Sequence, residues 1–200
     1  MVVGLTGGAA TGKSLVSEEL KRLGAAVVDA DLIAREVLSK GTPAYKDTIG
    51  SFGEGVKLAD GSIDRKALGE IVFSSPEKLA LLESITHPRI REIIRTRVEE
   101  LKEKRKGSLI VVDAALLIEK GLYKEMDAVI VVYADRPTQI ARLKKRNGLS
   151  EREAALRISA QVPVEEKLKY ADYVIDNSGA PAETLKAVGE LYSALVRGRC

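Results

Sequence analysis

The chain has 200 residues, of which 45% are hydrophobic and 30% charged, and its formal net charge is +3. That length suits one domain, or one domain carrying a modest insertion, and the composition excludes a disordered chain. So slight a charge excess gives no general argument for nucleic acid, and any basic feature that matters must act locally. The acids and bases interleaved from Arg89 to Lys106 read as a solvated helix face. Cys200 is the only cysteine, which excludes an internal disulfide or a cysteine-built metal site and points to a reducing compartment. The apolar run after Met1 is too short for a signal peptide or a membrane span, so the expectation is a cytoplasmic protein with no membrane partner.

Val2–Leu5 opens the chain as a strand, and a helix follows with Val16, Leu20 and Leu23 on one face, ended by Gly24. Ala25–Val28 is a second strand. From there to Leu109 the pattern shows about three helical segments and no convincing strand, split by a Gly/Asp-rich loop at 53–62. Ile90, Ile93, Ile94, Val98 and Leu101 mark a long helix that restarts at Pro88, which puts Thr86-His87-Pro88-Arg89 at a break between two helices. Leu109–Val112, Ala128–Val132 and Tyr173–Ile175 are further strands. Residues 137–171 form a basic helical hairpin opened by Ser150 and Glu153, a capping box. The last helix carries Leu185, Val188, Tyr192 and Leu195, with Pro181 near its start. Apolar strands of this kind suit a sheet covered on both faces, and their alternation with helices predicts a three-layer α/β fold with a mostly parallel sheet. Right-handed crossovers then set the strand C-termini along one edge.

Gly7-Gly8-Ala9-Ala10-Thr11-Gly12-Lys13-Ser14 matches the phosphate-binding pattern G-x-x-x-x-G-K-[ST] in full, between a strand and a helix. Glycines let successive backbone N–H groups turn toward phosphate oxygens, and the helix adds the positive end of its dipole. Lys13 reaches the β- and γ-phosphates, and the Ser14 hydroxyl suits Mg²⁺. Asp29 and Asp31 close the second strand on the same edge. A carboxylate there orients an acceptor hydroxyl, takes its proton or holds metal-bound water, or else caps the helix starting near Leu32. Asp113 ends the third strand, where a carboxylate opposite such a loop holds Mg²⁺ or its waters, or is an ordinary strand-end turn residue. The chain lacks T/N-K-x-D, which favours ATP over GTP. The hairpin gathers Arg142, Lys144, Lys145, Arg146, Arg152 and Arg157; this is either a lid whose mobile arginines close over the transferring phosphoryl group, or a solvated basic helix. His87, the only histidine, is either a satisfied turn residue or a contact to an anionic substrate.

Nearly the whole chain also resembles the dephospho-coenzyme A kinase family. The likeness rests on Gly4–Ser14, Val28-Asp29-Ala30-Asp31 with Ile33–Val37, Thr86-His87-Pro88, Asp113 with Leu116-Leu117 and Glu119, Arg146–Ser150, Gln161, and Ala171-Asp172 through Asn177-Ser178-Gly179, all in the family's order. The resemblance implies transfer of the ATP γ-phosphoryl group to the ribose 3′-hydroxyl of dephospho-CoA, on a core sheet of five parallel strands. It implies a helical acceptor-binding insertion at about 32–107 and a lid at about 138–170. Asp31 would be the general base, Arg142 a lid contact to ATP, and Asn177-Ser178-Gly179 would lie near the adenine. With Gly8, Ala9, Ala10, Thr11, Gly12, Lys13 and Ser14 these residues make the expected ATP site. The acceptor side would comprise Thr6, Asp31, His87, Arg89, Asp113 and Leu116, and the lid Arg146, Arg157 and Gln161. Mg²⁺ would sit on Ser14, with Asp113 or Asp29 holding it through water. Ala10 stands where the family usually has glycine, Ala115 where it has proline, and Ile118 where it has an aromatic residue. The rival readings are a kinase for a nucleoside monophosphate, nucleoside or sugar acid, and, from another class, a nucleotide-driven switch or ATPase module.

Overall fold

The computed structural model describes residues 1–105 and 107–197; Lys106 and Cys200 lie outside the described residues. The chain divides into two compact units, Met1–Val28 with Val98–Cys200, and Asp29–Arg97.

The first unit is built on a five-stranded sheet, β1 (Val2–Gly7), β2 (Ala26–Asp29), β3 (Ile110–Asp113), β4 (Ala128–Tyr133) and β5 (Tyr173–Asp176), in the order β2-β3-β1-β4-β5. The pairs β1–β3, β1–β4 and β4–β5 are parallel. Every residue of β1 and β3 is buried, which accounts for their uninterrupted apolar runs. β5 departs from the expectation of a strand covered on both faces: it is an edge strand whose Val174 is 51% exposed. Helices α1 (Lys13–Arg22) and α9 (Pro181–Arg197) pack together over one face of the sheet, where Val3, Leu5, Val16, Leu20, Ile130, Val132, Ile175 and Val188 are buried. On the other face Leu117 lies so close over Gly4 that a Cβ there would stand 2.5 Å from its Cδ2. Helix α1 ends as its sequence dictates: Gly24, at φ 111, lets Ala25 N–H reach back to the Leu20 carbonyl. The basic hairpin is α6 (Arg136–Asn147) packed on α7 (Glu151–Ser159), and α8 (Val164–Leu168) follows against β4. Ser150 and Glu153 form the capping box in both directions.

The second unit contains α2 (Ala30–Glu36), α3 (Pro43–Phe52), α4 (Arg65–Phe73) and, as far as Arg97, α5 (Pro76–Lys104), four helices rather than about three. Thr42 and Asp64 cap α3 and α4. Val37, Ala44, Val56, Ile63, Leu68, Val72 and Ile85 form its own core. The expected break at Pro88 is absent, because α5 runs through the proline. Pro88 deprives one carbonyl of its N–H partner, but side chains serve the neighbouring turn. Thr86 Oγ1 donates to the Leu82 carbonyl and the Arg89 guanidinium to that of Ile85. Burial of Ile85, Thr86 and Ile94 on this helix outweighs the local penalty.

Candidate active site

The parallel register sets the ends of the central strands level. Leu5 pairs with Asp113, and Gly7 with Val132, so the loop leaving β1 emerges beside the ends of β3 and β4. Gly7 is required by space alone: a Cβ would lie 2.6 Å from Thr11 Oγ1 and 2.8 Å from the Val132 carbonyl oxygen. The loop folds on itself through buried Thr11, whose N–H and hydroxyl both donate to the Gly8 carbonyl. Ala10 takes φ 58, the one positive φ outside glycine among the described residues, at the position where the family pattern has glycine. Gly12 (φ 93) then caps α1, whose N–H groups at Leu15 and Val16 point to its carbonyl.

Lys13 Nζ lies 2.5 Å from Asp113 Oδ1, with both side chains largely enclosed. The phosphate-binding lysine and the strand-end carboxylate are thus brought together. Ser14 is exposed on the first turn of α1. Thr6, one residue before the loop, donates its hydroxyl to the Ala115 carbonyl, and Leu116 beside it is 41% exposed.

Arg142 is half-buried and held in place, unlike the mobile lid arginine that the basic spacing suggests. Its guanidinium donates to the carbonyls of Ala10 (3.4 Å), Thr11 (3.3 Å) and Asn177 (2.7 Å). Arg146, one turn on, is exposed and reaches only as far as Asn147, and Arg157 is exposed on α7. Gln161, just past α7, has a buried Oε1 for which no hydrogen-bond donor is found.

Asn177 is 2% exposed, and its side chain is committed to the loop. Nδ2 donates 2.7 Å to the Thr11 carbonyl, and Oδ1 accepts from Thr184 of α9 at 2.7 Å. Gly12 packs against that amide, leaving no space for a Cβ. Ser178 Oγ accepts from the Asp135 N–H, and Gly179 lies beside Glu183. Asp135 caps α6, and the hydroxyl and N–H of Thr138 hold its carboxyl below the usual range.

Asp31, His87 and Arg89 belong to the second unit. Asp29 N-caps α2, its carboxylate accepting from Leu32 N–H at 2.8 Å, while Asp31 sits half-buried in the first turn. His87 Nδ1 stands 4.0 Å from Glu83, one turn back on α5. Arg89 makes an ion pair with Asp47 of α3 at 2.6 Å.

Two participants were absent from the sequence reading. Thr184 completes the clasp around Asn177, and nothing local distinguishes it from a surface threonine. Lys167, 0% exposed, does carry a signal, since it follows buried Val164 by three residues on the inward face of α8. Among the described residues no group of three or more His, Cys, Asp or Glu side chains could hold a metal by itself, and no helix is long and apolar enough to cross a membrane.

The family described as dephospho-CoA kinase matches residues 1–183. A dephospho-CoA kinase of Geobacter sulfurreducens is 49% identical over 193 residues, covering 96% of this chain and 97% of its own. One from Aquifex aeolicus is 45% identical over 195 residues, 98% of this chain and 97% of its own. Among solved structures, the dephospho-CoA kinase of Campylobacter jejuni superposes with a TM-score of 0.76 at 30% identity, covering 100% of this chain and 98% of that one. Shikimate kinase from Acinetobacter baumannii, at 16% identity and a TM-score of 0.51 over 99% and 94% of the two chains, shares the fold alone. With its phosphate loop braced at the head of a five-stranded sheet, this chain belongs to the dephospho-CoA kinase family.

Proposed function

We infer that the chain transfers the γ-phosphoryl group of ATP to the ribose 3′-hydroxyl of dephospho-CoA, giving CoA and ADP. The observation that carries this reading is the family match across residues 1–183, which includes the intact Gly7–Ser14 loop. The loop's backbone N–H groups and the start of α1 bind the β- and γ-phosphates, and Lys13 neutralises charge that grows on the γ-phosphoryl oxygens. Its contact with Asp113 supports this, since the pair keeps the ammonium extended and oriented. Asp31 orients the 3′-hydroxyl and takes its proton late in a loose, in-line transfer. Arg142 and Asn177 shape the loop, and Ser178 and Gly179 follow on the adenine side. Thr6, His87, Arg89, Asp113 and Leu116 serve the acceptor, within a helical insertion at about 32–107. Residues 138–170 form the lid, with Arg146, Arg157 and Gln161 on its moving part and α8 as its fixed foot.

Mg²⁺ fits this donor set. Magnesium is ordinarily held by one or two oxygen ligands together with substrate phosphates and water, not by an all-protein cage. The Ser14 hydroxyl would hold it, with Asp113 or Asp29 acting through water, and it would supply charge neutralisation for the ATP phosphates. We place the protein in the cytoplasm, with no nucleic-acid partner.

The test is an acceptor panel. Incubated with ATP and Mg²⁺, the protein is expected to phosphorylate dephospho-CoA at the ribose 3′ position, as mass spectrometry of the product would show. Preferential transfer to AMP, CMP, shikimate or gluconate would refute the acceptor and leave the kinase chemistry standing. ATP hydrolysis without any acceptor would favour the switch or ATPase reading.

A further inference from the structure

Lys167 of α8 has no exposed side-chain surface. Its Nζ donates to the Ala115 carbonyl at 2.7 Å and stands 2.8 Å from Glu119 Oε1 and 3.1 Å from Oε2; Glu119 is 15% exposed. Enclosing such a pair is costly, and apolar side chains of similar volume often serve stability as well or better. Stability alone therefore gives no reason for charge at this spot.

The Ala115 carbonyl suggests what the charge does. It also accepts the Thr6 hydroxyl at 3.1 Å, so one oxygen ties together the end of β1, the segment after β3 and helix α8. Glu119 adds a second tie further along that segment. Asp113 lies two residues before Ala115, at the end of β3 and in register with Leu5 of β1. An apolar residue at position 167 would fill the space but take from the Ala115 carbonyl the shorter of these two hydrogen bonds.

We propose that Lys167, together with Glu119, is a positioning residue for the phosphoryl-transfer step: it fixes the segment following β3 so that Asp113 meets Lys13. The proposal rests on the kinase reading given above.

The experiment compares wild type with Lys167→Met and with the double apolar variant Lys167→Met/Glu119→Leu. Melting temperature, kcat and KM are read with ATP and dephospho-CoA. Lys167→Met should melt lower, because it strands the Glu119 carboxylate. The double variant should regain most of the melting temperature while kcat stays depressed, on the order of 10²-fold, as expected for a misplaced catalytic group. Its crystal structure should show Asp113 beyond hydrogen-bonding range of Lys13, more than about 3.5 Å. Recovery of kcat along with stability would overturn the proposal, as would an unmoved Asp113 or a double variant no more stable than the single one. The crystallographic result holds whatever the acceptor, whereas a wild type inactive on dephospho-CoA would sink the functional reading instead.

Discussion

Asp29 and Asp31 stand two residues apart, and the structure gives them different work. Asp29 spends its carboxylate on Leu32 N–H, a role that asparagine fills equally well. Asp29→Asn should therefore keep stability close to wild type and lower turnover less than Asp31→Asn, unless Asp29 holds metal-bound water. For Asp31, removing charge and basicity while keeping the shape, as in Asp31→Asn, should lower kcat by roughly 10²–10⁴-fold, with KM for ATP and melting temperature little changed. Steady-state kinetics on the two variants decide the matter, and wild-type turnover in Asp31→Asn would remove it as the base. Arg142 calls for a different expectation from that of a surface arginine. Arg142→Ala should raise KM for ATP and also cost about 1–3 kcal/mol of stability, because the Asn177 carbonyl loses its 2.7 Å donor. Lysine should restore little, having no planar fork to span three carbonyls. Normal denaturation with impaired kinetics would mean that the arginine serves only the nucleotide. The phosphate loop could be recognised from residue types alone, because its function needs glycine and lysine at fixed spacing. Arg142 could be picked out as basic and near the site, but its fixed pose depends on carbonyls more than a hundred residues away.

The elements are legible in the sequence to unequal degrees, and the less legible ones share a physical cause. Strands β1, β3 and β4 could be seen because both faces are covered, so every position demands an apolar residue. β5 has a similar sequence but lies at the edge, a placement that only strand order decides. Pro88 pointed to a break, and the side chains of Thr86 and Arg89 that keep α5 continuous act through tertiary burial, which no local rule contains. Helix α7 followed its local code closely, and its cap yields a prediction. The Ser150 hydroxyl donates to Glu153 and holds its carboxyl below the usual range. A group with a lowered folded pKa stabilises above its unfolded value of 4.5, and that contribution is lost as pH falls through the folded value. Urea midpoints should therefore fall more steeply with acidification in wild type than in Glu153→Gln, where the cap survives without a titrating group. Ser150→Ala should cost about 1 kcal/mol at neutral pH. Parallel acid profiles for wild type and Glu153→Gln would show that the cap contributes nothing there.

For the whole molecule, ATP binding should act as a stabiliser. At a concentration a hundred times its Kd, a ligand specific for the folded state adds about 2.7 kcal/mol. In a chain of this size that corresponds to a rise in Tm on the order of 5–10 °C. Lys13→Ala should lose most of this rise as well as turnover, which differential scanning fluorimetry with and without ATP would reveal; an undiminished rise would mean that the lysine acts only in the transition state. The spacing of Lys167 from Val164 marks its side of α8, but its partners Glu119 and Ala115 come from another part of the chain and are not legible locally.

The clasp between Asn177 and the Thr11 carbonyl spans 166 residues. During synthesis the phosphate loop leaves the ribosome before Asn177 does. Yet its brace arrives with β5 and the start of α9, and β1 meanwhile waits for partners at β3 and β4. Such long-range closure makes folding slow and exposes unpaired strand edges on nascent chains. It also ties function to completion: a polypeptide interrupted before Asn177 retains the whole Gly7–Ser14 motif but not the bond that shapes it. Capacity to hold nucleotide should therefore depend on Asn177 having been made, and a chain cut before it should bind ATP less well than one that includes it.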